Sequence, residues 1–239
     1  MEINILHFEK LESTNSYALE HFEELSDGDV ITTDIQLNGR GRFDRKWIGV
    51  YSDDIYMSVV LKPQRNDFPY PNLTQYLSVI TNRVLNRDYN IKSNIKWPND
   101  ILFEGKKLAG ILSEGKIIKN KLAGVVLGIG INVNRENFDD LPFASSLKAV
   151  TGKNTDKQSL INKILEEFSK GYDKFASEGF LSIIEEYKTM CKFNDGKIKL
   201  SASFNDGDYF FECINPDGTI SVTDKNNKTH KIISGDIQC

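Results

Sequence analysis

The chain has 239 residues, of which 39% are hydrophobic and 27% are charged, and its formal net charge is −4. These values are typical of a globular protein with one large domain, or with one domain and a smaller one. The negative charge excludes a general affinity for nucleic acid or anionic membranes. Because the chain has neither an apolar run near the roughly 18 residues of a membrane span nor a signal pattern, we expect a cytoplasmic protein. An odd number of widely spaced cysteines predicts reduced thiols at Cys191, Cys213 and Cys239.

The first half of the chain alternates predicted strands and helices. Alternating apolar residues indicate strands, and apolar residues at helical spacing indicate helices. The predicted elements are strands at 2–8, 28–36 and 53–63 and helices at 12–25 and 73–85. Ser13 or Thr14 is expected to cap the first helix. Residues 95–134 are rich in strand formers and contain short turns, which predicts two hairpins in the middle of a sheet.

The second half ends in a different kind of structure. Residues 135–147 predict a loop or a short helix. A long helix is expected at 155–175, with a capping box formed by Thr155 and Gln158, and a shorter one at 180–190. From about residue 195, short strands joined by turns predict a small all-β unit of the five-stranded barrel type. Its predicted strands are 196–203, 208–214, 219–224 and 230–235.

The stretch "LNGRGRFDRKW", residues 37–47, concentrates positive charge on a segment with two glycines. Gly39 and Gly41 permit positive φ, so the backbone can fold tightly around a ligand. Trp47 can pack over a ring or seal a site from water. Guanidinium groups are planar, permanently charged forks that suit carboxylate and phosphate oxygens, and the segment carries three of them: Arg40, Arg42 and Arg45. The alternative is a solvated loop with some affinity for nucleic acid.

Two further stretches carry polar groups beside predicted strands. In "KWPND", Asp100 follows Pro98 in a predicted turn with an exposed carboxylate, and Lys107 stands seven residues later at the start of an apolar strand. An ammonium group at that strand edge can point into a pocket, whereas a plain hairpin would leave Lys106 and Lys107 solvated. In "GIGINVN", a buried Asn132 needs partners, either in neighbouring backbone or in a ligand.

Four motifs in this order resemble the biotin–protein ligases over nearly the whole chain. They are "ESTN", "Q..GRGR..R.W", "KWPND.......KLAGIL.E" and "G.GINVN", followed by the small β unit. The resemblance implies an α+β fold of the class II synthetase and biotin ligase type, in which helices flank a mixed β-sheet. This catalytic domain would span residues 1–192, and a small SH3-like β-barrel would span residues 193–239.

The resemblance also implies an activity. Members of the family use ATP to activate biotin as biotinyl-5′-AMP, with Mg²⁺, and pass the biotinyl group to a lysine of a biotin carboxyl carrier protein. The predicted catalytic domain begins almost at Met1, so we expect the monofunctional type without direct DNA binding; a homodimer is left open. Two alternatives are a lipoate–protein ligase-like enzyme, whose basic-glycine signature this chain lacks, and a non-enzymatic biotin or adenylate sensor.

Residue roles follow from the resemblance, position by position. Biotin would contact Ser13, Thr14, Asn15, Gln36, Arg40, Gly41, Arg42 and Lys107. ATP or the adenylate would contact Arg40, Arg42, Arg45, Trp47, Asp100, Lys107 and Asn132. The catalytic roles fall on Lys107, Arg42 and Arg40, and Asp100 either holds the metal or orients Lys107. Residues 38–48 are expected to order when ligand binds, and Asp44 stands where many members have glycine.

Overall fold

A computed structural model describes residues 1–63, 67–139, 141–193, 196–201 and 207–238. Its large sheet contains eight strands: β1 Asn4–Leu11, β2 Asp29–Arg40, β3 Lys46–Gly49, β4 Ile55–Leu61, β5 Asn94–Lys96, β6 Asp100–Phe103, β7 Lys106–Ile118 and β8 Lys121–Ile131. The strand order is β1-β2-β4-β8-β7-β6-β5, and β3 pairs with the far end of β2. Only β1 and β2 run parallel among these pairs. The predicted mixed sheet is therefore confirmed.

Helices cover both faces of this sheet. The helices are α1 Thr14–Glu20, α2 Leu73–Tyr89, α3 Leu147–Thr151, α4 Lys157–Glu178 and α5 Ile184–Met190, with short 3-10 turns at Tyr70–Asn72 and Gly179–Ser182. Apolar residues of α2 and α4 form the main core against one face, where the Tyr76 hydroxyl donates to the Phe168 carbonyl at 2.6 Å. On the other face, Ala18 and Phe22 pack against Ile31, Val60 and Val126.

A helix begins where a side chain can accept a hydrogen bond from one of its first N–H groups. Ser13 caps α1 by accepting from the Ser16 N–H, which decides between the two predicted caps. The predicted capping box at α4 is wrong. Asp156 is the N-cap and accepts from the Gln158 N–H at 3.0 Å, because the Thr155 backbone is paired with Asn134 instead.

The C-terminal unit is an antiparallel sheet with strands β9 Lys197–Ser201, β10 Gly207–Ile214, β11 Ile220–Thr223, β12 Thr229–Ile232 and β13 Asp236–Gln238. Its order is β12-β11-β10-β9-β13. Four strands were predicted, and β13 was missed because it is only three residues long. In the described part of the chain β12 and β13 are edges, so the sheet fits an SH3-like domain but is not a closed barrel.

Four predicted features fall wholly or partly outside the described residues. They are residue 140 of the predicted loop or short helix at 135–147, the turn at 204–207, the end of the strand at 196–203, and Cys239. Cys191 and Cys213 form no disulfide, in agreement with the predicted reduced thiols. Within the described ranges, no helix has both the length and the apolar character needed to cross a membrane.

The turn between β10 and β11 is inserted into the larger unit. The Gly218 carbonyl accepts from Trp97 Nε1 at 3.0 Å and from Gln75 Nε2 at 2.7 Å, while Asn72 donates to the Asp217 carbonyl at 2.9 Å. The main hydrophobic core also continues into the C-terminal sheet. We propose a domain division at residues 192 and 193, where helices give way to strands, with this buried turn holding the two parts together.

Gly218 is required by both its backbone and its surroundings. Its φ is +80°, and a Cβ atom would lie 2.5 Å from Gln75 Oε1. We expect Gly218→Ala to lower the free energy of unfolding by about 3 kcal/mol, of which about 1 kcal/mol is strain at positive φ and the rest is the clash. Gly105→Ala is the matched control, because Gly105 has φ +78° and open space around its Cα. Equal losses in urea unfolding of the two variants would contradict this account.

Candidate active site

One cavity gathers most of the side chains that the motifs predicted. It lies where α1, the β2–β3 hairpin and strands β6 to β8 meet. The predicted residues that line it are Ser13, Thr14, Asn15, Gln36, Arg40, Gly41, Arg42, Arg45, Trp47, Asp100 and Lys107. The four motifs are distant in sequence, so their convergence is a property of the fold. Asn132 is the one predicted site residue that does not line this cavity.

A hydrogen-bonded group at the N-terminus of α1 forms one end of the cavity. Gln36 Oε1 accepts from the Thr14 N–H at 2.9 Å and lies 3.3 Å from the Thr14 hydroxyl. The buried Ser58 hydroxyl lies 2.7 Å from Thr14 Oγ1 and 2.6 Å from Asn15 Oδ1. Glu114 completes this group, because its Oε2 accepts from Asn15 Nδ2 at 2.7 Å. We call these five residues the α1 cluster.

Glycine backbone of β7 and β8 contributes to the base of the cavity. Gly110 and Gly130 are paired across β7 and β8, and the ring of Trp47 lies on both. A Cβ atom would lie 2.8 Å from Trp47 Cζ3 at Gly110, and 2.6 Å from Trp47 Nε1 at Gly130. The indole N–H is buried without a hydrogen-bond partner. Trp47 therefore covers the centre of the sheet and forms one wall of the cavity.

Lys107 points into the cavity and pairs with Asp100. Its Nζ lies 2.7 Å from Asp100 Oδ1 and 5.3 Å from the centre of the Trp47 ring. The ion pair lacks hydrogen-bond geometry, so this buried carboxylate oxygen accepts no hydrogen bond. The prediction of an exposed Asp100 in a turn is wrong, because Asp100 begins β6 and its side chain is only 18% exposed. Lys106, by contrast, is exposed.

Asn132 lies behind Lys107. Its side-chain amide donates to the Lys107 carbonyl at 3.2 Å and to the Ser145 carbonyl at 3.0 Å. The backbone of Lys107 also pairs with Phe143 and Ser145, at 2.7 and 3.0 Å. Of the two alternatives for a buried asparagine, the structure shows the one in which neighbouring backbone satisfies the amide. Asn132 thus fixes the main chain from which the Lys107 side chain extends.

Arg42 joins the cavity to the C-terminal sheet. Its guanidinium donates to Asn99 Oδ1 at 3.0 Å, to the Gly235 carbonyl at 3.1 Å and to the Ser234 hydroxyl at 2.8 Å. Arg40 lies on the opposite side and pairs with Glu114 at 3.0 Å. Arg40 and Arg42 are therefore held by different parts of the protein, a division that the sequence pattern did not indicate.

A family model described as "Biotin/lipoate A/B protein ligase family" matches residues 7–132, more than half of the chain. The chain belongs to this family. The matched region holds every residue of the cavity that was predicted from the motifs, from Ser13 to Lys107. The C-terminal sheet lies beyond the matched region.

Several curated ligases are similar to this family member. The "Bifunctional ligase/repressor BirA" of Bacillus subtilis is 35% identical over 162 residues, which is 66% of this chain and 50% of that protein. The "Biotin--[acetyl-CoA-carboxylase] ligase" of Mycobacterium tuberculosis is 32% identical over 145 residues, 59% of this chain and 53% of that protein. The chain thus spans about half the length of these relatives.

A solved structure extends the similarity to the whole fold. The biotin protein ligase from Aquifex aeolicus, in complex with biotin and ATP, is 26% identical and superposes with a TM-score of 0.86. The superposition covers 98% of this chain and 97% of that protein. The family resemblance therefore includes the C-terminal sheet, which the family model does not reach.

The loop of the β2–β3 hairpin bends differently from our expectation. Phe43 and Asp44 have positive φ, 55° and 58°, whereas Gly39 and Gly41 do not. Gly39 is needed for close approach instead, because a Cβ atom would lie 2.5 Å from both Gln36 Nε2 and the Trp47 carbonyl. Asp44 takes the left-handed conformation that glycine adopts most easily, and aspartate is among the residues that tolerate it.

Sequence reasoning missed several residues of the site, among them Asn99, Ser58 and Glu114. Ser58 lies in an apolar strand, where its small hydroxyl gives no periodic signal. Glu114 closes the motif "KLAGIL.E", but its partners Asn15 and Arg40 are 99 and 74 residues away in sequence.

Among the described residues, no group of three or more His, Cys, Asp or Glu side chains is placed to hold a metal ion.

Asp54 supports the segment behind the cavity. It is 1% exposed, and its Oδ1 accepts from the Val133 N–H, next to Asn132, at 2.8 Å. Burial disfavours the charged carboxylate and raises the pKa of Asp54 from 3.8 to about 6, although the Val133 hydrogen bond and Arg135 oppose this shift. The folded protein therefore holds the Asp54 proton more tightly than the unfolded chain does.

This shift predicts a pH dependence of stability. As the pH rises from about 4 to about 6, the unfolded chain releases the Asp54 proton before the folded protein does. The free energy of unfolding should then fall by about 3 kcal/mol, the equivalent of roughly two pKa units. Asp54→Asn should remove most of this decline, as measured by urea unfolding at several pH values. An equally steep decline in the variant would show that another group is responsible.

Proposed function

We propose that the chain is an ATP-dependent biotin–protein ligase. It would activate biotin as biotinyl-5′-AMP and pass the biotinyl group to a lysine of a biotin carboxyl carrier protein. The observation that carries this proposal is the position of the Lys107 ammonium, in one cavity with the α1 cluster and the arginine-bearing hairpin. The names of the relatives support it, since they describe biotin ligases, one of them acting on acetyl-CoA carboxylase.

The first chemical step brings two anions together. A biotin carboxylate oxygen attacks the α-phosphorus of ATP, a phosphorus–oxygen bond forms, and pyrophosphate leaves. Repulsion between unit charges in contact is about 4 kcal/mol at an effective dielectric of 20. The side chains that would offset it are cationic and line the cavity: Arg40, Arg42, Arg45 and Lys107. The covering ring of Trp47 would limit access of water to the adenylate.

We infer that Lys107 acts on the reacting oxygens. Its Nζ reaches the cavity from the start of β7, while Asn132 and Ser145 hold its main chain. We propose that this ammonium binds the biotin carboxylate first and then the α-phosphate oxygens as charge develops there. Asp100 would keep Lys107 oriented through the 2.7 Å ion pair.

Magnesium would enter with ATP. The Asp100 carboxylate fits such an ion, because it is a hard oxygen ligand and the only carboxylate among the described residues that line the cavity, although its Oδ1 already lies 2.7 Å from the Lys107 ammonium. One or two protein carboxylates together with substrate phosphates is the usual coordination of Mg²⁺ in nucleotide sites. When bound, the ion would neutralise phosphate charge, while the Lys107 main chain would still be held by its hydrogen bonds with Phe143 and Ser145.

The α1 cluster is the proposed site for the ureido ring of biotin. A cyclic urea carries two N–H donors and one carbonyl acceptor, and Thr14, Asn15 and Gln36 present both kinds of group to the cavity. A dithiolane ring has neither, so a site built to pair with a urea should reject lipoate strongly. This argues against the lipoate ligase alternative.

A non-enzymatic sensor is the second alternative. Such a protein needs to bind the ligand but does not need groups that stabilise charge at the reacting atoms. Lys107 and Asp100 are directed at one another inside the cavity and contribute no packing to the core clusters. That arrangement favours an enzyme.

Lys107→Ala tests the proposed chemistry. We expect adenylate formation to slow by on the order of 10²–10³, or ~3–4 kcal/mol, with much less effect on biotin binding, because the ammonium acts mainly on charge in the transition state. The measurement is pyrophosphate release in a single turnover with biotin, ATP and magnesium. Thermal unfolding serves as the folding control.

Lys106→Ala is the matched control. Lys106 precedes Lys107 in the same strand but is exposed and lies outside the cavity. Its variant should keep the wild-type rate. If Lys107→Ala keeps more than about a third of the wild-type rate, far short of the loss expected for such a donor, Lys107 is not catalytic. Absence of biotin-dependent pyrophosphate release in the wild type would overturn the proposed function itself.

A further inference from the structure

A single carboxylate oxygen connects the α1 cluster to the hairpin. Glu114 Oε2 accepts from Asn15 Nδ2 at 2.7 Å and from Arg40 Nη2 at 3.0 Å. Glu114 extends from β7, close to the end of the motif that carries Lys107. Glu114 forms no hydrogen bond with any other described side chain, so its role is inferred from its contacts with Asn15 and Arg40.

Glu114 determines which way the Asn15 amide faces. A carboxylate can only accept hydrogen bonds, so the NH₂ group of Asn15 must point toward it. The Leu112 carbonyl, 3.5 Å from the same nitrogen, is also only an acceptor. The oxygen of the Asn15 amide is therefore turned toward Ser58. A Cβ atom at Gly128 would occupy the space of this amide, so glycine is required beneath it.

The orientation of Asn15 sets the direction of the next hydrogen bonds. Ser58 has one hydroxyl proton, and Asn15 Oδ1 requires it at 2.6 Å, because an amide oxygen cannot donate. In the 2.7 Å contact between Ser58 and Thr14, the Thr14 hydroxyl must then be the donor. Gln36 Oε1 is still satisfied by the Thr14 N–H at 2.9 Å. Thr14 Oγ1 consequently keeps lone pairs, and no proton, for the cavity that it lines.

We propose that Glu114 is a positioning residue that makes Thr14 a hydrogen-bond acceptor for an N–H group of the substrate. This inference rests on the proposed function, in which the substrate carries a ureido ring. With an amide at position 114, the Asn15 side chain can reverse. Ser58 would then donate to Thr14 and occupy one of the lone pairs that Thr14 otherwise offers to a ureido N–H. The Thr14 proton would turn to Gln36 Oε1, 3.3 Å away, or to the cavity, where it would oppose the ureido N–H. Glu114 would thus contribute to the selection of biotin without touching it.

Exchanging the two partners provides a direct test. Glu114→Gln should lower kcat/KM for biotin on the order of tenfold, mainly through KM, because the hydrogen-bond direction is no longer imposed. Asn15→Asp should also be impaired, because it places two carboxylates in contact. In the double variant the new amide at position 114 donates to the new carboxylate at position 15. That carboxylate again accepts from Ser58, so activity should return to within about threefold of wild type.

The assay is biotin-dependent pyrophosphate release at saturating ATP, with thermal unfolding of each protein. Glu9→Gln, an exposed substitution on β1, is the control and should behave as wild type. The inference is overturned if Glu114→Gln matches wild type, or if the double variant is no better than Glu114→Gln. Should Glu114→Gln fail to fold, the double variant alone decides. A wild-type protein without biotin-dependent turnover would instead overturn the proposed function, and the inference with it.

Discussion

The contact of the Trp47 ring with the paired backbone of Gly110 and Gly130 is the constraint on which the site depends. Any side chain at either glycine would lift the ring, and the β2–β3 hairpin that carries Trp47 would move with it. With the ring in place, the cavity is limited to the space between α1 and the start of β7. The polar groups of α1 and the Lys107 side chain line this same cavity.

The β2–β3 hairpin forms hydrogen bonds with two different parts of the protein. Arg40 is bound to Glu114 of the α1 cluster, while Arg42 is bound to Ser234 and Gly235 of the C-terminal sheet. That sheet is itself anchored through the buried Gly218 turn. The position of the hairpin therefore depends on the packing of the C-terminal sheet. Through Arg42, residues 234 and 235 contribute contacts to the site.

Regular periodicity and local chemistry made much of the fold predictable. The α2 and α4 stripes, the buried β4 and the cap at Ser13 all depend on residues close in sequence. The predictions that failed concern features that depend on distant partners or on very short elements. The N-cap of α4 depends on the pairing of Asn134 with Thr155, and the contacts of Glu114 are with residues far away in sequence. Motifs located the cavity, but they carried no information about the direction of its hydrogen bonds.

The central claim is that this cavity activates biotin, and one competition measures it. The protein is mixed with ATP, magnesium and equal concentrations of biotin and lipoate in one vessel, and the adenylates formed are quantified by mass spectrometry. We expect biotinyl-5′-AMP with little or no lipoyl adenylate, because we propose that a urea ring, and not a dithiolane ring, pairs with the α1 cluster. Equal amounts of the two adenylates, or a predominance of the lipoyl product, would contradict it.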